Sequence, residues 1–553
     1  MLTTMNMRSF LPIKTETFVF VLLSSITILA CSDELDVVPK EQITDEQLWS
    51  QTSNADLFLN DIYLSVPTIF PWDPTENFSD NSITGQNGNT SLVLYAQSNY
   101  TPDNAPNQWN RYSAIRKCNV FLENVTASDL DEDWKSLRTA EARFLRAYFY
   151  SLLWTYHGGV PIITEVLNQE EQGDEIFRGR STSQETFEFM TDELAAIESA
   201  LPDVAEAPGR ATKGAALALK GWIELYNASP LKNPDNDPER WQLAADTYQK
   251  IINSGVYDLF PDYGTLFFEE NANNEEVIFT FQHLGGTFLG NTKDGVVGPR
   301  FVNGSLTAFA HLTPTQDLVD EYAMANGLPI TDPMSGYDPQ QPFENREKRF
   351  YESVVYDGSM WKGAEMIMKL GVESANSIDV SNSGISTRTG YYLKKAIDPR
   401  YAIAFDNQND ADWIIFRFAE VLLGYAEAQN EASGPDASAY EAINRVRERA
   451  ELPGLPLGLS QDEMREAIYR ERRVELAFEE KRFYDLLRLR LAEVNLNGPL
   501  HAMVIRQVDG EWVYSVEPAA GGMRSFDPDK NYLLPIPQNA MDLNPELEQN
   551  PNY

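Results

Sequence analysis

Cys31 is the residue whose neighbours specify a reaction. It closes the order Ile28-Leu29-Ala30-Cys31, which puts an apolar side chain three positions before the thiol and a small one directly before it, as a lipoprotein peptidase requires. The apolar stretch 18–30 lies behind Arg8 and Lys14 and suits a secretory signal better than a membrane span of roughly 20 residues. Residues 1–30 are read as a lipoprotein signal peptide and Cys31 as the site of lipid attachment.

Other chemistry is sparse. With Cys31 modified, Cys118 is the one remaining cysteine; no intrachain disulfide can form, and a buried structural thiol is expected. His157, His283, His311 and His501 show no ligand spacing, and no HExxH or CxxC pair occurs, so no zinc or iron site is expected. Asp235-Asn236-Asp237 offers oxygen ligands suited to calcium but lacks the EF-hand spacing. No cofactor is expected, and calcium is left unassigned. A glycoside hydrolase needs two carboxylates at roughly 5 to 10 Å. Among 83 acidic residues such a pair can always be imagined, so it carries no weight, and a non-enzymatic role is expected. The formal charge of −39 argues against nucleic acid and against docking of the body on anionic lipid; contact with a membrane would be through the lipid anchor only.

The elements that position any site are helical. In 139–156 the side chains of Leu145, Tyr148, Phe149, Leu152 and Tyr156 share a face, Ala140, Ala142 and Ala147 allow a close neighbour, and Gly158-Gly159 with Pro161 ends the helix. Residues 211–226 repeat the logic with Ala215, Ala218, Leu219, Trp222 and Leu225. Ala419, Leu422, Leu423 and Ala426 form a third face. Small residues at helix crossings with aromatics between them predict a mainly α, tetratricopeptide-like array, although no clean 34-residue repeat is visible. Residues 67–107 and 271–410 differ: they are rich in Asn, Gly, Asp, Ser and Thr with interspersed aromatics, and loops this long inside a compact protein are functional or disordered. The aromatics favour function. The expected organisation is 1–30 signal peptide; 31–270 helical, with a ligand-loop segment near 67–107; 271–410 loop-rich with short strands; 411–553 helical.

Four motifs occur in order. Arg143-Phe144-Leu145-Arg146-Ala147-Tyr148-Phe149 with Gly158-Gly159-Val160-Pro161 resembles the signature helix of the SusD/RagB family of outer-membrane nutrient-binding lipoproteins. Arg417-Phe418-Ala419-Glu420-Val421-Leu422-Leu423 with Tyr425-Ala426-Glu427 is similar to its second hallmark. Arg470-Glu471-Arg472-Arg473-Val474-Glu475-Leu476-Ala477-Phe478-Glu479 with Arg482 and Asp485-Leu486 is similar to its most specific one. Leu534-Pro535-Ile536-Pro537 with Asn544-Pro545 and Gln549-Asn550-Pro551 resembles its ending, with Asn552 standing where glycine is common. The acidic run Ser32-Asp33-Glu34-Leu35-Asp36 resembles the surface-sorting signal of Bacteroidetes-type lipoproteins. The charges of 470–479 suit a solvated face or an ion-pair network between helices, with Glu466 and Arg470 spaced to pair and Arg472 or Arg473 held by helix-end carbonyls or carboxylates.

The resemblance implies a non-catalytic, lipid-anchored protein on the cell-surface side of the outer membrane, which captures an oligosaccharide or polysaccharide and delivers it to a SusC-like TonB-dependent transporter as partner. Sugar C–H faces pack on aromatic rings while hydroxyls need polar groups at the ring edge. The expected carbohydrate-binding residues are Trp72, Asp80, Tyr95, Gln97, Asn99 and Tyr100 in the first loop region, and Phe288, Asn291 and Trp361 in the second. Trp109 has helical spacing with Tyr112, Ile115 and Asn119 and reads as structural; Trp154, Trp222, Trp413 and Tyr425 read as core. Capture of peptides or another nutrient by the same scaffold is the alternative function. A glycoside hydrolase and a pure interaction scaffold rank below it.

Overall fold

The computed structural model describes residues 44–67, 74–86, 90–382 and 386–553; residues 1–30, expected to be a signal peptide, and Cys31 lie outside them. The fold is mostly helical with small two-stranded sheets. Ten helices carry the frame: α1 (Thr52–Tyr63), α2 (Arg111–Ala127), α3 (Glu132–His157), α4 (Ser183–Ile197), α5 (Lys213–Ala228), α6 (Pro238–Ser254), α7 (Phe418–Ser433), α8 (Ala437–Arg449), α9 (Gln461–Glu475) and α10 (Arg482–Arg488).

Their ends are set locally. Asp131 accepts from Trp134 N at the start of α3, and Thr182 with Glu185 and Ser460 with Glu463 form capping boxes on α4 and α9. Each such cap fills an otherwise orphan backbone donor and is worth about 1 kcal/mol. Neighbouring helices then pack through small residues. The Tyr248 ring of α6 is lodged between Gly221 of α5 and Gly424 of α7, where an added Cβ would stand 2.8 Å from Cε1 and 2.7 Å from Cε2. Glycine at both positions is what lets one aromatic ring bridge three helices. Trp154 and Tyr425 are buried as expected, and Cys118 is buried with its thiol pushed up to about 12 by desolvation, an inert structural group.

Two strands join the loop-rich middle of the chain to this frame: β1 (Val277–Phe281) pairs antiparallel with β2 (Trp413–Arg417), which runs directly into α7. The C-terminal region also holds the longest strands, β3 (Gly498–Val508) and β4 (Glu511–Arg524). They are joined by Asp509-Gly510, both at positive φ, as the turn of a two-residue hairpin demands.

The charged motif of α9 faces inward. Glu475 is fully buried and lies 2.7 Å from Arg417 and 2.9 Å from Arg349, with Arg449 also in contact. Arg417 reaches Glu276 at 2.6 Å and Glu479 at 2.7 Å, and Lys395 completes Glu479 at 2.6 Å. Glu276, Arg349 and Lys395 come from the middle region, so this network fastens it to α7, α8 and α9. A second cluster ties Arg488 to Glu427 and Asp485, and Asp485 to Arg472. Arg473 binds Asp80 and Glu321. The expected pairing of Glu466 with Arg470 does not form: Arg470 reaches instead to Glu321 at 3.3 Å, because α9 is packed against the middle region and a partner across that seam is nearer.

Isolated ions inside a protein cost several kcal/mol each, and removing one member of a paired set leaves the others uncompensated, at about 3 to 5 kcal/mol. Arg417→Met is therefore expected to lower the unfolding free energy by about that amount, read as a shift of the urea midpoint. An unchanged midpoint would show that the network is dispensable. The same groups set the pH response. Their guanidinium and ammonium partners hold Glu479 down at about 2 and Glu475 and Asp80 lower still. The stability they contribute is complete above the ordinary carboxylate range and is lost as pH falls toward 2. Burial raises Asp294 and Asp412 to about 6 and Glu76, beside Glu480, to about 8, and stability linked to these is lost as pH rises through those values. Thermal melting across pH should show a maximum at roughly pH 4 to 5, with a steep acid side; a monotonic rise to pH 9 would contradict this assignment.

Candidate functional site

Two aromatic surfaces stand out among the described residues. The first is a cleft of about 550 Å³ where α3, α5 and β2 meet the first loop region, lined by Tyr95, Tyr148, Tyr156, Trp222, Trp413 and Tyr484. Several of its polar groups are committed within the protein. Arg111 donates to Gln108 Oε1 at 2.8 Å and to Ser65 O at 3.1 Å, and Lys481 donates to Ile415 O at 2.8 Å and pairs with Glu420. Glu480 accepts from Thr75 N at 2.6 Å. Glu76 and Glu480 each keep one buried oxygen without a hydrogen bond among the described residues; burial raises both, and the charge of Glu480 raises Glu76 further, so Glu76 holds its proton at neutral pH.

The second place is open. Phe288 is 88% exposed and Phe405 76% exposed, and Phe405 meets the ring of Phe309 at 4.9 Å and 63°. Leu284 and Ile403 extend the apolar surface. These rings stand on loops fastened to each other. Gly286 N donates to Asn407 O at 2.8 Å and Asn407 Nδ2 to Thr287 O at 2.9 Å. Asp410 accepts from Gly285 N, and Asp412 from Gln282 Nε2 and His283 N. The approach is close enough to require glycine: a Cβ at Gly290 would lie 1.9 Å from Asn407 O. The first loop region reaches the same place, since Gly85 N donates to Ala310 O at 2.9 Å and Gln86 Nε2 donates to Phe309 O.

Phe405 also has φ +64°. A bulky side chain in the left-handed region costs about 1 to 3 kcal/mol and persists where the surroundings enforce it. Here the flanking residues are held, Asp406 N donating to Ile403 O and Asn407 bonded to the neighbouring loop, and a large apolar ring stands in solvent beside Asn407 and Gln408. Such an arrangement suits the C–H face of a sugar ring with amides at its edge.

The residues expected from the sequence are distributed over several places. Phe288 lies on the open platform. Tyr95 lines the cleft, half-buried and edge-on to Phe78 at 5.3 Å. Gln97 and Asn99 follow a short helix, with Asn99 donating to Gln97 at 3.4 Å. Trp72 lies outside the described residues. Four are buried in structural roles. Asp80 is locked by Arg482 at 2.8 Å and by Arg473, a carboxylate used to fasten the first loop region to α9 and α10. Tyr100 stacks on Tyr553 and accepts from Asn531. Asn291 clamps the platform loops by donating to Ala411 O at 2.8 Å and accepting from Lys293 N. Trp361 is buried beside Glu352 and Lys394 in a separate depression. Trp109 packs on Tyr112 and His157, as its spacing predicts. Trp222 and Trp413, expected in the core, are half-buried walls of the cleft. Phe309 and Phe405 were not anticipated, although Phe405-Asp406-Asn407-Gln408 meets the criterion of an aromatic beside amides.

Comparison with known proteins accounts for nearly the whole chain. Residues 275–553 match the profile described as the SusD family, and residues 46–225 match one described as starch-binding associating with outer membrane. SusD-like protein P2 of Formosa agariphila is 28% identical over 97% of this chain and 97% of its own length. A crystal structure of a SusD-like protein from Bacteroides fragilis superposes with a TM-score of 0.79 at 29% identity, covering 92% of this chain and 99% of that one. A SusD-like carbohydrate-binding protein from the same organism gives 0.77 at 27% identity, covering 91% of this chain and all of that one. With half of its length under one family profile and the helical frame shared with these structures, the chain belongs to the SusD family.

Proposed function

We propose that this protein captures a polysaccharide or oligosaccharide on the platform of Phe288, Phe309 and Phe405 without transforming it. The observation that carries the reading is Phe405, held in solvent in a strained backbone conformation against Phe309 by the neighbouring loop. An open platform lets a polymer run past at both ends, whereas in the cleft Arg111 and Lys481 are held by protein partners. The description of the Bacteroides fragilis relative as carbohydrate-binding supports the same reading. The carboxylates near the platform have structural duties: Asp406 accepts from Gln408 N, Asp410 from Gly285 N and Asp412 from His283 N. That use favours binding over hydrolysis. Cys31 would tether the domain to the outer membrane, facing outward, and a TonB-dependent transporter would take the ligand from it. The family profile that mentions the outer membrane supports this placement.

Phe405→Ala and Phe309→Ala are each expected to weaken binding of a retained polysaccharide about tenfold, near 1.4 kcal/mol, in affinity electrophoresis, with thermal stability preserved. The polymer should be recovered uncleaved. Full retention by the double variant, or clear binding of peptides with silence toward every glycan, would overturn the proposal.

A further inference from the structure

Arg300 departs from the way this protein treats its other buried arginines. Arg349, Arg417, Arg472 and Arg488 face carboxylates, and Arg346 and Arg524 donate to backbone carbonyls. Arg300 is only 8% exposed, forms no ion pair among the described residues, and has both Nε and Nη1 buried without a hydrogen-bond partner. Acidic residues outnumber basic ones 83 to 44, so the lack of a carboxylate here is not for want of supply. Buried guanidinium nitrogens whose donors are unmet destabilise the native state unless an oxygen from outside reaches them.

Its position says where that oxygen would come from. Arg300 opens the short hairpin Phe301–Val302/Ser305–Leu306, and its carbonyl accepts from Thr307 N at 2.8 Å across that hairpin, with Ala310 N bonded to Gly298 O one step further. Phe309 of the platform lies two residues beyond Thr307 on the arm that pairs with Arg300, a diagonal neighbour at roughly 7 to 8 Å between backbones. The guanidinium lies 5.2 Å from the centre of the Phe301 ring. Nearby polar groups are neutral: Asn376 holds both backbone groups of Phe301, and Tyr392 donates to Asn376. The charge of the whole molecule repels anions at long range, but at physiological salt this is screened within about 8 Å, and the local guanidinium decides at contact.

We propose that Arg300 receives an anionic group, the carboxylate or sulfate of an acidic polysaccharide whose sugar rings lie on the phenylalanine platform. This rests on the platform reading and names its substrate class. A guanidinium suits both anions, since its planar donors match their oxygens.

The test uses the full mature chain against polygalacturonate and dextran sulfate, each beside its neutral counterpart, carboxyl-reduced polymer and dextran, together with a panel of neutral plant and microbial glycans. The expected result is retention of an acidic polymer, loss of retention when its carboxyl or sulfate groups are removed, and at least tenfold weaker binding by Arg300→Gln, partly restored in Arg300→Lys. The melting temperature of Arg300→Gln should hold or rise, because an uncompensated charge is removed. A fall of several degrees with unchanged binding would make Arg300 a structural residue and overturn the inference. Retention of neutral glycans alone, weakened by Phe405→Ala and not by Arg300→Gln, would overturn it while leaving the platform intact. Failure to retain any polymer would sink both.

Discussion

The structure depends on where Glu475 sits. A carboxylate with no access to water is tolerable only when opposite charges surround it, and Arg349, Arg417 and Arg449 do so from three separate parts of the chain. Each arginine in turn engages a further acid: Glu471, Glu479 or Glu276. The result is a lattice of mutual dependence in which the loop-rich middle region, short of hydrogen-bonded secondary structure of its own, is fixed against the helical frame. Apolar packing alone would leave the orientation of that region loosely specified. Directional pairing at 2.6 to 2.9 Å fixes it, and the exposed loops inherit that precision.

The division of labour follows. Charge is spent inside, where it positions; aromatic rings are left outside, where the proposed platform would use them for recognition. Asp80 illustrates the first use, since it fastens the first loop region to α9 and α10 through Arg473 and Arg482. Phe405 illustrates the second, a ring held where water rather than protein contacts most of it. The platform loops are bound to each other by Asn291, Asn407, Asp410 and Asp412, so a ligand would meet a surface already arranged and would pay little ordering entropy on binding.

Much of the frame was legible in the sequence. Helical periodicity with alanine at the crossings identified α3, α5 and α7, and the ordered motifs around Arg146, Arg417 and Arg473 identified the family. The ion-pair reading of 470–479 also agrees with the structure, apart from the Glu466–Arg470 pair. The site was legible only in part. Phe288 and Phe405 both stand beside amides in long loops, yet Tyr100, Asn291 and Trp361 have similar local surroundings and are buried. What separates them is contact with residues far along the chain: Tyr100 meets Asn531 and Tyr553, and Asn291 meets Ala411. Local composition cannot encode such partners. Nor did residue type reveal that Asp80 would find two arginines some 400 positions away, or that Arg300 would find no carboxylate among the described residues.

The most direct measurement of the account is hydrogen–deuterium exchange on the mature chain with and without a bound polysaccharide. The platform account predicts protection confined to 283–290, 305–310 and 403–409, with the cleft segments 148–156 and 479–484 unchanged. Protection of those cleft segments with no change in the platform loops would contradict it.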